Sequence, residues 1–92
     1  MTDVELLSLV KLNLAIIGDT WNEYLTNLIA VSKKAIAREG ITLNDSDIED
    51  CNLVVMYTAY LYRKRAEDTA AMPRMLRYAL NNRIFSEKGA AT

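Results

Sequence analysis

The chain has 92 residues, 51% of them hydrophobic and 25% charged, with a net charge of −1. These values suit one soluble globular domain and exclude both wholesale disorder and a polyelectrolyte that seeks phosphate over its whole surface. A domain of this size buries only roughly 60–65% of the surface its unfolded chain exposes, which supports one modest core and leaves little room for an enclosed active site.

Charge is unevenly distributed. Residues 1–62 hold 4 basic and 9 acidic side chains, net −5, whereas residues 63–92 hold 7 basic and 3 acidic, net +4. A chain polarised in this way can bind a second copy of itself, acidic surface to basic surface, as readily as an outside partner. The single cysteine, Cys51, cannot form an internal disulfide and lies among apolar neighbours, so a buried free thiol in a reducing interior is expected. No apolar run reaches the ~18–20 residues of a membrane span, and Asp3 and Glu5 stand where a signal peptide carries positive charge, so neither a membrane role nor export is expected.

The sequence predicts an all-α fold, a small bundle of about four helices over residues 1–85 with a mobile tail over 86–92. In "MTDVEL", Thr2 and Glu5 have the spacing of a capping box, with Met1 placed to pack on Leu6 as a staple. Leu6, Leu7, Val10, Leu14 and Ile17 continue at helical spacing to a stop at Gly18. Thr20 and Glu23 repeat the capping pattern, and Trp21, Tyr24, Leu25, Leu28, Ile29, Ser32, Ala35 and Ile36 define one buried stripe before Gly40.

In the connection "ITLNDSDIED", Ile41 and Leu43 are expected to pack down, and Ser46 with Glu49 forms a third candidate box. The third helix is expected from about residue 47 to 65. One stripe comprises Ile48, Cys51, Val55, Thr58, Ala59 and Tyr62, and Leu53, Met56, Tyr57, Tyr60 and Leu61 fill much of the rest. A helix apolar nearly all round is either central to its fold or pressed against another subunit, and the small size of the domain favours placing part of it in a subunit interface. "AEDTAAMPRM" then breaks the pattern, and Pro73 suits the first position of a fourth helix. Met75, Leu76, Ala79, Leu80 and Ile84 are assigned to its apolar face, with Arg74, Arg77, Tyr78, Asn81 and Asn82 on other sides.

Catalysis finds no support in these residues. The chain has no histidine, no glycine-rich phosphate loop and no cysteine–histidine metal spacing. The carboxylates of "NDSDIED" lack the spacing and central glycine of an EF-hand, and helix capping accounts for them. No enzyme activity, cofactor or metal is expected.

Nucleic-acid binding is the alternative reading, as a small helical DNA-binding or regulatory protein. "YRKR" and "PRMLRYALNNR" supply charge, stacking groups and amides. However, "AEDTAA" separates the two groups and reintroduces acids, and Arg63, Lys64 and Arg65 fall in a last helical turn where the macrodipole alone favours cations. Arg74, Arg77 and Arg83, interleaved with tyrosine, methionine and asparagine, look more like a protein-recognition helix, since arginine and tyrosine are enriched at binding hot spots.

The segments "LLSLVKLNLAI", "YLTNLIAVSKKAIAREGITL" and "YLYRKRAEDTAAMPRMLRYALNNRIF" together resemble the head–tail connector (adaptor) proteins of tailed bacteriophages, over residues 4–85. The resemblance implies a structural virion protein whose copies, about a dozen, form a ring beneath the portal, extend the DNA channel and carry the next tail component. Implied partners are the portal protein, a downstream tail-completion protein and other copies of the chain, with DNA passing through unread. The implied location is the head–tail interface of a virion assembled in the bacterial cytoplasm. Carried onto this sequence, portal docking falls to Arg74, Arg77, Tyr78, Asn81, Asn82 and Arg83. Ring contacts fall to Leu53, Met56, Tyr57 and Tyr60, with acids such as Glu23 and Glu39.

Overall fold

A computed structural model of the chain describes residues 2–66 and 71–91, apart from the side chains of 66 and 88–91. It is all-α: α1 (Asp3–Leu14), α2 (Asn22–Arg38), α3 (Ile48–Ala66) and α4 (Arg74–Ala91), with no strand among the described residues. The domain is a slab of 45 × 31 × 18 Å, about two helices thick. Helix α3 packs against all three others, while α4 rests mainly on α3 at one edge.

The first capping box forms as expected. Thr2 Oγ1 accepts from the Glu5 amide (3.3 Å), and the Thr2 amide donates to Glu5 Oε1 (3.1 Å). The latter bond holds the Glu5 carboxyl below its ordinary range. The proposed staple partner Met1 lies outside the described residues. α1 stops before Gly18, at a Schellman turn in which the Ile16 amide reaches Lys11 O (2.9 Å) and the Ala15 amide reaches Leu12 O (3.3 Å). Ala15 takes the left-handed conformation (φ 57°) that such a turn needs. Ile17 is consequently not the end of a buried stripe; it is 98% exposed.

The second box does not form. α2 begins at Asn22 after Trp21, without a side-chain cap, and Glu23 is left exposed. Its buried stripe of Leu25, Leu28, Ile29, Ser32 and Ile36 is the expected one, and Gly40 (φ 96°) follows its end. The third box does not form either: Asp47 Oδ1, not Ser46, caps α3 by accepting from the Glu49 amide (2.9 Å). Asn44 Oδ1 meanwhile accepts from the Ser46 amide (2.9 Å) and shapes the loop.

The core joins Leu6 and Val10 of α1 to the α2 stripe, Ile41, the α3 residues Cys51, Leu53, Val54, Val55 and Ala59, and Leu76 and Leu80 of α4. Its buried hydroxyls are paired: Thr58 donates to the Val54 carbonyl (2.7 Å) and lies 2.9 Å from Ser32 Oγ. Cys51 is a buried free thiol.

The all-round apolar character of α3 is thus largely met inside the domain. Leu53 is buried, and Met56, Tyr57 and Tyr60 are half-buried against the core. Leu53 is therefore corrected from a ring-contact residue to a core residue, because the central position of α3 places it under α4. Ile48, expected in the buried stripe, is 69% exposed instead. The boundary expected at Phe85 also moves, since Ser86 and Glu87 continue α4 as helix.

Candidate functional site

The arginines of α4 divide into two groups with different jobs. Arg83 forks onto Asp50, with Nε donating to Oδ1 at 2.7 Å and Nη2 to Oδ2 at 3.2 Å, and Nη2 also donates to the Thr42 carbonyl at 2.9 Å. Asp50 is 1% exposed, and its Oδ2 additionally accepts from the Asn44 amide at 2.8 Å. Burial by itself would raise the Asp50 carboxyl; the hydrogen bonds from Arg83 and Asn44, with the guanidinium charge, outweigh it and hold the group below its ordinary value. The same bond raises Arg83.

One turn later, Glu87 accepts from the Thr42 amide through both oxygens, at 3.1 and 2.9 Å, and lies 3.9 Å from Arg83. Hydrogen bonds from Thr42 hold the Glu87 carboxyl below its usual range. Arg83 and Glu87 together satisfy both the carbonyl and the amide of Thr42, which clasps α4 to the α2–α3 connection. Nearer the start of α4, Arg77 makes a two-pronged pair with Glu39 (3.4 and 3.0 Å), and this pair is more open to solvent.

These contacts correct the expected docking set. Arg77 and Arg83 are gripped by their own domain, because Glu39 and Asp50 are close enough in space to neutralise them. Glu39 is likewise engaged and not a free acid. Arg74, Tyr78, Asn81 and Asn82 are exposed, as docking requires.

The geometry adds residues that the sequence reading placed elsewhere. Met75, expected on the inner face, is 73% exposed, with Tyr78 at 56% and Phe85 at 73%. At 3.6 residues per turn, 75, 78, 82 and 85 fall along one strip, roughly opposite buried Leu76 and Leu80. α4 therefore has two apolar faces, one spent on the core and one pointing away from it. Asn82 lies within the outer strip, and Arg74 and Asn81 flank it. Beside it, α3 and α4 enclose a groove of about 310 Å³ whose lining includes Asn52, Leu53, Met56 and Asn82.

A second apolar surplus lies on α1 and the turn after it, where Val4 (73%), Leu12 (78%) and Ile17 are exposed. The sequence signal for it was present in "LLSLVKLNLAII", which is apolar on nearly every side of a helix that the fold places at its periphery. α3, by contrast, has its surplus covered on three sides.

At the opposite end of α3, Arg63, Lys64 and Arg65 are exposed in the last turn. Lys64 lies over the Tyr60 ring at 5.7 Å. Arg65 lies over three rings, 4.5 Å from the Trp21 centroid, 5.6 Å from Tyr24 and 5.0 Å from Tyr62. Of the five arginines between 63 and 83, Arg65, Arg77 and Arg83 are thus occupied by the chain itself, which weakens the basic-surface reading of this segment.

The carboxylates of 45–50 do not converge on a common point: Asp47 caps α3, and Asp50 turns inward to Arg83. No helix among the described residues is long and apolar enough to cross a membrane. No protein-family model matches the chain, and comparison with curated proteins and with solved structures gave no significant match.

Proposed function

We propose that the chain is the subunit of a head–tail connector, a non-enzymatic ring beneath a phage portal that leads DNA toward the tail without reading its sequence. The observation that carries this reading is the outward face of α4. Three large apolar side chains, Met75, Tyr78 and Phe85, stand in a strip with Asn82, flanked by Arg74 and Asn81, a mixture typical of protein-recognition surfaces. A helix fixed to its domain by Arg77, Arg83 and Glu87 presents that strip rigidly, so little ordering entropy is lost on docking.

Ring closure needs a further contact between two different surfaces, because a head-to-tail interface joins unlike patches. The exposed apolar residues of α1 (Val4 and Leu12, with Ile17 beyond) supply one patch. The half-buried Met56, Tyr57 and Tyr60 of α3, with exposed Glu23 elsewhere on the surface, remain available to the other. In this reading α4 faces the portal, and α1 of one copy faces α3 of the next. The downstream tail-completion protein would join on the ring's far side.

Sedimentation velocity and electron microscopy of the chain, alone and mixed with portal rings, test this reading. Ring-shaped assemblies, formed spontaneously or on the portal as template, are the expected outcome. A chain that stays monomeric in the presence of the portal refutes it, whereas a monomer alone does not. Salt-sensitive, site-selective DNA binding by the monomer would support the alternative instead.

A further inference from the structure

We propose that Trp21, Tyr24 and Tyr62 form a receptor box for a guanidinium cation, filled in the free domain by the exchangeable side chain of Arg65 and open to an arginine of a partner polypeptide. This goes beyond the connector reading and does not depend on it.

The box is anchored to the core. Trp21 lies at the start of α2, Tyr24 one turn later, and Tyr62 on α3; all three are half-buried and packed against the core. The rings meet edge-on, Trp21 to Tyr24 at 5.9 Å and 66°, and Trp21 to Tyr62 at 6.1 Å and 88°. Each edge-on contact uses one face of one ring and leaves the remaining faces open, and the face is the electron-rich side that attracts a cation. With three ring centroids within 5.6 Å of one guanidinium carbon, the pocket has the chemistry of an aromatic cage.

Among the described residues, the resident cation is held by rings. Among the described residues Arg65 makes no hydrogen bond or ion pair, in contrast to Arg77 and Arg83, which are fixed by carboxylates. It is exposed and sits in the last turn of α3, the part of a helix that opens at least cost. A guanidinium on a flexible stem, attracted by rings and tied to no anion among the described residues, can be replaced by another of the same chemistry. Lysine would be a poorer occupant, being a compact, strongly hydrated charge that stacks less well.

Trp21 is the only tryptophan, so its fluorescence reports the box directly. The full chain, as wild type and as Arg65→Ala and Arg65→Gln, is titrated with N-methylguanidinium chloride against sodium chloride at equal ionic strength. Circular dichroism monitors the fold. Both variants are expected to show a saturable change in Trp21 emission and an upfield shift of the probe's methyl resonance with the same midpoint. The wild type is expected to need roughly fivefold more probe, a factor in the range of an exposed cation–ring attraction. Equal midpoints in all three proteins overturn the proposal, as does a response no larger than that of sodium chloride. Loss of fold in both variants overturns it as well, since Arg65 would then be a fixed structural staple.

Discussion

Replacing Arg83 with alanine is the sharpest test of how α4 is held. The substitution removes both guanidinium bonds to Asp50, at 2.7 and 3.2 Å, and the donor to the Thr42 carbonyl. Asp50 is 1% exposed, so it cannot recover these bonds from bulk water and keeps only the Asn44 amide. Breaking a buried pair by removing one partner costs about 3–5 kcal/mol. The lower end applies here because one hydrogen bond survives and Arg83 reaches the surface, with 19% of its side chain exposed.

A loss of about 3 kcal/mol is a large share of the roughly 5–15 kcal/mol that stabilises a typical domain. It corresponds to a fall in Tm of roughly 12–24 °C for a chain of this length. The comparison is Arg77→Ala. Its partner Glu39 and Arg77 itself are 29% and 41% exposed, so water compensates and the cost is about 1 kcal/mol or less. Urea unfolding followed by circular dichroism gives both values. The double replacement Asp50→Leu/Arg83→Met should recover most of the loss, because no charge is then stranded. If Arg83→Ala costs no more than Arg77→Ala, the clasp is not what secures α4 and the reasoning fails.

Acid unfolding should follow from the same site. Asp50 has a folded pKa below its ordinary 3.8, so its contribution is complete above that value and is lost as pH falls through the depressed one. Glu5 and Glu87, lowered from 4.5, act with the same sign. Stability measured by urea titration should therefore decline below about pH 4.5, and Asp50→Asn should flatten that decline. Ala15→Gly should stabilise by roughly 1 kcal/mol, because Ala15 is left-handed at φ 57°, where only glycine escapes the side-chain penalty; unchanged or lower stability would contradict the Schellman geometry. Tyr78→Ala with Phe85→Ala should change stability by no more than about 0.5 kcal/mol each while abolishing portal binding, and unfolding would place these residues in the core.

Much of the helical architecture could be read from local signals. The Thr2–Glu5 box, the α2 stripe and Gly40 needed only spacing and residue type, and they stand where expected. The failures occurred where tertiary position decides. A wheel shows that α3 is apolar all round, but whether its flanks face a neighbour or its own domain depends on where α1, α2 and α4 lie. Leu53 falls in the core for that reason.

The arginines illustrate the same limit. Arg77 and Arg83 look like free recognition residues until Glu39 and Asp50, 38 and 33 positions away in sequence, are brought against them. The outer strip of α4 was more accessible: placing 75, 78 and 85 on a helical wheel opposite 76 and 80 separates them from the core face. Met75 reads as part of the core face only through its neighbour Leu76, which belongs there. Ending the helix at Phe85 misses Glu87, since "SEKGAAT" has no large apolar residue to signal that its carboxylate grips Thr42.

Hydroxyl-radical footprinting of the chain, free and bound to portal rings, measures directly whether the outward strip of α4 is the docking surface. Met75, Tyr78 and Phe85 should be strongly modified in the free protein and protected in the complex, with Leu76 and Leu80 protected in both. Equal modification of Met75, Tyr78 and Phe85 in the two states would show that the partner binds elsewhere and that α4 is not a docking helix.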